Sequence, residues 1–189
     1  KNPKDYSSVY QCAAFLQVIG QNDEASDYFI QLANVGAEQI EVYENGSKAL
    51  IDSGRYNEAL MFIAKGQDKF PDSRLLQLRQ GMALDKSQDY EGAEVVLKKF
   101  YEDQPDRIDA IIALGVFYSN SGHAHKALDI LLSGYDKFPD NIAILNNIGA
   151  ILLNAKEYLQ ASEYFLKALR IDPTSTQCMI NIGSCFEKM

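Results

Sequence analysis

The stretch from Tyr6 to Gln39 contains no lysine and no arginine. It carries Asp23, Glu24, Asp27 and Glu38, in a chain whose formal net charge is −8. An acidic surface repels polyanions, which argues against nucleic acid and anionic membrane as partners and leaves a basic peptide open near the N-terminal end. Histidine is scarce: only His123 and His125 are present, two residues apart. A metal would need a third and fourth ligand, and no cysteine or glutamate stands at ligand spacing, so no metal is expected and the pair reads as part of a solvated turn. Long apolar runs are missing too. None approaches the roughly 18 residues that span a bilayer, and no signal peptide is visible. The phosphate-cradling and nucleophile patterns G-x-x-x-x-G-K-[ST], G-x-G-x-x-G and G-x-S-x-G are absent. Carboxylates are plentiful but scattered, so no catalytic residue and no cofactor is expected, and the chain reads as not an enzyme.

Cysteine is limited to Cys12, Cys178 and Cys185. The last two lie about 10 Å apart along one helix, too far for a disulfide. All three fall on core-type positions and read as inert packing thiols. Free thiols suit a reducing compartment, and a cytoplasmic location is the expectation.

Proline is limited to five residues, and these organise everything else. Pro3, Pro71, Pro105, Pro139 and Pro173 share one phase of a 34-residue period, broken only at Ala37. Chance odds are roughly one in a million, so the chain is an internal repeat. With proline at position 32, repeats run 6–39, 40–73, 74–107, 108–141 and 142–175, with a partial sixth at 176–189, all in one array over 1–189. Position 20 is always alanine: Ala25, Ala59, Ala93, Ala127 and Ala161. Position 8 is always small: Ala13, Ser47, Gly81, Gly115, Gly149 and Gly183. Position 24 is large and apolar: Phe29, Ile63, Leu97, Leu131 and Phe165.

This pattern resembles the tetratricopeptide repeat, whose consensus runs W-x2-L-G-x2-Y, A-x3-F, P. The resemblance covers nearly the whole chain and implies an all-α, right-handed superhelix of five helix hairpins plus one C-terminal helix. The residues support the same fold unaided. Apolar side chains at 4, 7, 8 and 11 form one helix face, as in Leu145, Ile148, Gly149 and Leu152, and a second stripe follows at 20, 24 and 27. Gly20, Gly54 and Gly122 at position 15 break the chain between the two helices. Two irregularities predict looser packing or a local change of pitch. Gly46 stands at position 7, where it should cost about 1 kcal/mol against alanine. Gln77 and Gln80 occupy positions 4 and 7 of the third repeat.

The resemblance further implies that first helices line a concave groove through positions 2, 5, 9 and 12, with 6 and 13 at its margin. That places Leu75, Leu78, Met82, Ile112 and Val116 in an apolar strip, followed by Asn146, Asn147 and Asn181. No repeat has the Lys–Asn pair at positions 5 and 9 with which related co-chaperones grip a peptide carboxylate. Asparagine at position 6 recurs three times, as Asn45, Asn147 and Asn181, a partial version of the ladder that holds peptide backbone in O-linked N-acetylglucosamine transferases. The apolar side chains suit partner binding and inter-helix packing alike. The expected function is a non-enzymatic scaffold that binds a peptide or helical segment. Its alternatives are a substrate-recruiting or regulatory segment of a larger enzyme, such as a glycosyltransferase, and a self-assembling scaffold.

The chain begins at Lys1 without methionine, and its last helix repeats the first-helix stripe through Met179, Ile182 and Phe186 without a second helix to cover it. The expectation is that these side chains stay partly exposed, that the native chain continues past Met189, and that the bare face drives weak self-association.

Overall fold

The computed structural model describes residues 3–189, and these form α-helices joined by tight turns, with no strand among them. In chain order the helices are α1 (Pro3–Val18), α2 (Asn22–Asn34), α3 (Ile40–Asp52), α4 (Tyr56–Lys69), α5 (Arg74–Lys86), α6 (Tyr90–Asp103), α7 (Ile108–Asn120), α8 (Ala124–Lys137), α9 (Ile142–Asn154), α10 (Tyr158–Ile171) and α11 (Thr176–Lys188). The chain divides into two compact halves, one ending at Leu97 and one beginning at Lys98, inside α6. In the N-terminal half α1 packs on α2, α2 on α3, α3 on α4 and α4 on α5, while α3 also touches α1 and α5. In the C-terminal half α7 packs on α8, α8 on α9, α9 on α10 and α10 on α11, and α9 also touches α7 and α11.

What pulls each hairpin together is the opposition of positions 8 and 24. A Cβ added at Gly115 would lie 2.7 Å from Leu131, and one at Gly149 would lie 2.7 Å from the Phe165 ring. At Gly81 it would collide with the Leu97 side chain. Leu97, Leu131 and Phe165 are almost wholly buried, as are Ala93, Ala127 and Ala161 at position 20. A small residue on the first helix therefore admits a large one from the second, and the backbones close to contact.

The turn between the helices is the same in all five hairpins. The residue at position 15 takes a left-handed conformation: Gly20, Gly54 and Gly122 at φ near +80°, but also Gln88 at +68° and Lys156 at +67°. In each case two reversed hydrogen bonds close the first helix, as in Lys156 N to Leu153 O (3.1 Å) and Glu157 N to Leu152 O (2.9 Å). This is the Schellman arrangement, which satisfies terminal carbonyls at the cost of one left-handed residue. Position 34 starts the next repeat. Ser73, Asn141 and Ser175 accept hydrogen bonds from the amides of Leu76, Ile144 and Cys178, capping α5, α9 and α11.

The missing proline has a structural reason. Gly36 is left-handed at φ 93°, and the Ala37 amide donates to Leu32 O (3.1 Å). A proline at 37 has no N–H to give. The Ala37 carbonyl in turn accepts from Lys69 Nζ (2.8 Å) and the Tyr43 hydroxyl (3.2 Å).

The expected looseness around Gly46 and Gln80 is not what the structure holds. Gly46 is a point of close approach: an added Cβ would lie 2.6 Å from the Phe62 ring and 2.8 Å from Phe29 Cβ. Gln80 accepts from Gln67 Nε2 (3.1 Å), so its polar end is paired within the packing. Cys12 also departs from expectation. It is exposed, whereas Cys178 and Cys185 are buried. Position 7 packs toward the preceding hairpin, as Gly46 does on Phe29, and no described helix precedes α1.

Two substitutions follow from these contacts. Gly46→Ala gains about 1 kcal/mol of helix propensity but forces a methyl against Phe29 Cβ, which cannot swing away, and overpacking costs about 1–3 kcal/mol. The variant should melt below the parent in a thermal scan with circular dichroism. Lys156→Gly should melt above it. Relief of about 1–2 kcal/mol of left-handed strain outweighs about 0.5–1 kcal/mol of added chain entropy, a gain of roughly 1–4 °C at this size.

Candidate interaction site

Each half presents the faces of its first helices side by side. In the N-terminal half these are α1, α3 and α5, and the surface is charged. Glu44 accepts from Ser73 Oγ (2.9 Å), and Lys48 pairs with Asp52 one turn along α3. Arg79 on α5 is half-buried, and its Nε is enclosed without a hydrogen-bond partner. Burial lowers the Arg79 pKa, against the opposing pull of Asp52 and Glu44. Of the predicted apolar residues here, Met82 is 37% exposed, Leu75 is half-buried, and Leu78 is only 7% exposed. Leu78 therefore belongs to the packing, and a charge placed there would test folding before binding.

In the C-terminal half the faces of α7, α9 and α11 carry amides and apolar groups. Ile112 and Val116 are half-buried on α7. The asparagines have local partners. Asn147 Nδ2 donates to Ala143 O (2.8 Å), Asn181 Oδ1 accepts from Gln177 Nε2 (3.0 Å), and Asn146 Oδ1 accepts from Cys178 Sγ (3.1 Å). Asn45, at position 6 in the other half, donates to the Tyr10 hydroxyl (2.9 Å), while its backbone carbonyl accepts from Gln17 (3.2 Å). The recurrence of asparagine was legible in the sequence; the internal bonds that hold each one were not.

The acidity of the first repeat is partly cancelled. Arg55, from the second repeat, reaches Asp27 (2.7 Å), Asp23 (3.2 Å) and Glu58 (2.7 Å), and also donates to Ser26 Oγ (2.8 Å). Hydrogen bonds to Glu58, then Asp27, then Asp23 hold its guanidinium firmly protonated, and Arg55 in turn pulls the Glu58 carboxyl below its ordinary range. His123 contacts Ser121 Oγ (3.2 Å) and stands edge-on to Tyr118, and His125 is exposed. Among the described residues no three histidine, cysteine, aspartate or glutamate side chains gather around a common point, and no helix is long and apolar enough to cross a membrane.

Sequence reasoning missed one cavity. About 480 Å³ opens between the first turns of α1 and α3, lined by Tyr6, Ser7, Tyr10, Gln39, Glu41 and Val42. The available signal was the pair of tyrosines at positions 1 and 5 of the first repeat, one turn apart on the same face.

The tetratricopeptide repeat family matches residues 142–175, the fifth repeat. The arrangement over 96% of the chain is similar to a thermophilic tetratricopeptide-repeat protein of Thermus thermophilus, with a TM-score of 0.80, 17% identity and 99% of that protein covered. This chain contains a tetratricopeptide repeat, and its fold is that of tetratricopeptide-repeat solenoids. YrrB, a tetratricopeptide-repeat protein with an unusual peptide-binding site, is similar over 91% of the chain and 89% of its own, with a TM-score of 0.60 and 17% identity. Human protein O-mannosyl-transferase TMTC3 is 35% identical over 102 residues, which is 53% of this chain. The chain spans 11% of that protein's length. The tetratricopeptide fold is that of an interaction scaffold, in which the first-helix faces vary while the packing stays fixed.

The Arg55 cluster gives a pH dependence with a definite sign. A carboxyl whose pKa is lowered by folding contributes stability above its unfolded pKa, near 4.3 for glutamate, and loses it as pH falls through the lower folded value. Urea denaturation of the parent and Arg55→Met should show a constant gap in midpoint from pH 7 to about pH 5, closing below about pH 4. A gap that persists at pH 3 would mean that Arg55 acts through packing alone.

Proposed function

We propose that the chain is a non-enzymatic binding module whose first-helix faces receive a peptide or helical segment of another protein. The observation that carries this reading is the mixture of accessible apolar and polar side chains on those faces. Met82 is exposed while Ile112, Val116, Asn146, Asn147 and Asn181 are half-buried, although packing alone would be served by wholly enclosed residues. Leu75 is retained as a site residue on the same ground, and Leu78 supports it from beneath. The likeness to YrrB, a protein with a peptide-binding site, agrees with this use of the fold.

A second reading has support of its own. The 102-residue similarity to an O-mannosyl-transferase favours a repeat segment that recruits or regulates within a larger glycosyltransferase, the first-helix faces then holding the acceptor polypeptide. Self-assembly is a third use. Its support is α11, where Met179 is 48% and Phe186 60% exposed and an added Cβ at Gly183 would meet nothing.

Panning a displayed random peptide library on the purified chain tests the main reading. Enriched peptides should bind at micromolar strength, and Met82→Glu should weaken those that dock on the N-terminal half, and Val116→Glu those that dock on the C-terminal half, about tenfold or more, the cost of one buried contact or unpaired charge. Met61→Glu, on the exposed flank of α4, should leave binding unchanged. The reverse pattern, with Met61→Glu damaging and the other two silent, would move the site to the second-helix surface and sink the proposal.

A further inference from the structure

We infer that the outward face of α11 receives an amphipathic helix of another polypeptide, one that carries alanine followed four residues later by phenylalanine or leucine. The face is a first-helix surface without its second helix. Position 8 is buried as Ala13, Ser47, Gly81, Gly115 and Gly149, and exposed as Gly183. Position 4 is almost wholly buried as Ile111 and Leu145 but 48% exposed as Met179, and position 11 goes from 8% at Leu152 to 60% at Phe186. An added Cβ at Gly115 or Gly149 would strike Leu131 or Phe165, whereas at Gly183 it would meet nothing. The opposite side of α11 is already used: Cys178 and Cys185 are buried, Cys178 in one cluster with Leu145 and Ala168.

The molecule itself shows what covers such a face. In each complete repeat the cover is a helix with alanine at position 20 and a large apolar residue at 24, as in Ala127 and Leu131 or Ala161 and Phe165. The large side chain fills the space above the small residue of the first helix, as Leu131 does over Gly115 and Phe165 over Gly149. The same shape rule defines the occupant of α11. No charged residue stands between Pro173 and Phe186, so the face selects by fit and apolar burial rather than by ion pairing. A second copy of the chain fits less well. Its own helices of this kind are engaged: Ala25, Phe29, Ala127, Leu131, Ala161 and Phe165 are wholly buried in their hairpins. A second α11 offers Glu187 four residues after Gly183, which puts a carboxylate where the large apolar side chain belongs. The inference goes beyond the groove reading and does not rest on it, since α11 uses here the side that in other repeats is turned into the hairpin.

The experiment is an amide-proton NMR titration of the whole ¹⁵N-labelled chain with an unlabelled, end-capped peptide of the α10 sequence, Tyr158–Ile171. Saturable shifts are expected at Met179, Ile182, Gly183 and Phe186 at sub-millimolar peptide, the affinity being limited because an isolated helix of 14 residues is marginal in water. The same peptide carrying Phe165→Ala should bind at least about tenfold more weakly. In the chain, Gly183→Leu fills the space from the other side and should abolish the shifts. Gly183→Ala should bind within about threefold of the parent, because alanine already holds position 8 in the first repeat. Both variants should keep the parent's circular dichroism, since a side chain added at 183 starts in open space. Full binding by Gly183→Leu, shifts centred on Gly149 and Leu152, or no shifts at all would each overturn the inference. So would α11 signals that move with chain concentration before any peptide is added, which would assign the face to a second copy. Failure here leaves the panning result standing, because that assay reads Met82 and Val116 rather than α11.

Discussion

Everything else in this molecule depends on how closely the two helices of a hairpin approach. The residue at position 8 is small because the residue at position 24 fills the space a side chain would have used, as with Gly149 against Phe165. That single steric exclusion sets the separation of the helices and buries positions 20 and 24 together. It also leaves positions 2, 5, 6, 9 and 12 outside the exclusion. Those positions are less tightly constrained, although Leu78 at position 5 is still packed.

The chemistry has indeed diverged between the halves. On α3 and α5 the first-helix faces carry Glu44, Lys48, Asp52 and Arg79, linked by ion pairing and by partial burial of charge. On α9 and α11 the equivalent faces carry Asn146, Asn147 and Asn181, whose amides are tied to neighbours and add no net charge. A formal charge of −8 says little about either surface. The acids of the first repeat that seemed available to a partner include two already claimed by Arg55, across 28 and 32 residues of sequence.

The fold was legible because a 34-residue period repeats one steric solution, and repetition exposes which positions are constrained. Single departures from the period were harder to read. Gly46 suggests a weak helix when only propensity is weighed, yet it is the place where Phe29 and Phe62 need room. Gln88 and Lys156 hide a left-handed turn that three glycines announce, because the two hydrogen bonds around it outweigh the strain. Leu78 has the register of a surface residue but is covered by its neighbours. The Tyr6 cleft and the partners of Arg55 depend on side-chain rotamers from different repeats meeting, and no periodicity in a single chain encodes such meetings.

Two lysines at position 30, Lys69 and Lys137, each fasten the turn before their hairpin. Lys69 reaches back to the carbonyl of Ala37, and Lys137 reaches back to Pro105 O (3.1 Å) and Asp106 (2.7 Å), each tying down the turn that precedes its own hairpin. Asp103 and Ile171 hold the same position in the third and fifth repeats and bring no ammonium group. Local opening at the Ala37 and Pro105 turns must therefore break a lysine contact as well as the backbone bonds of the turn.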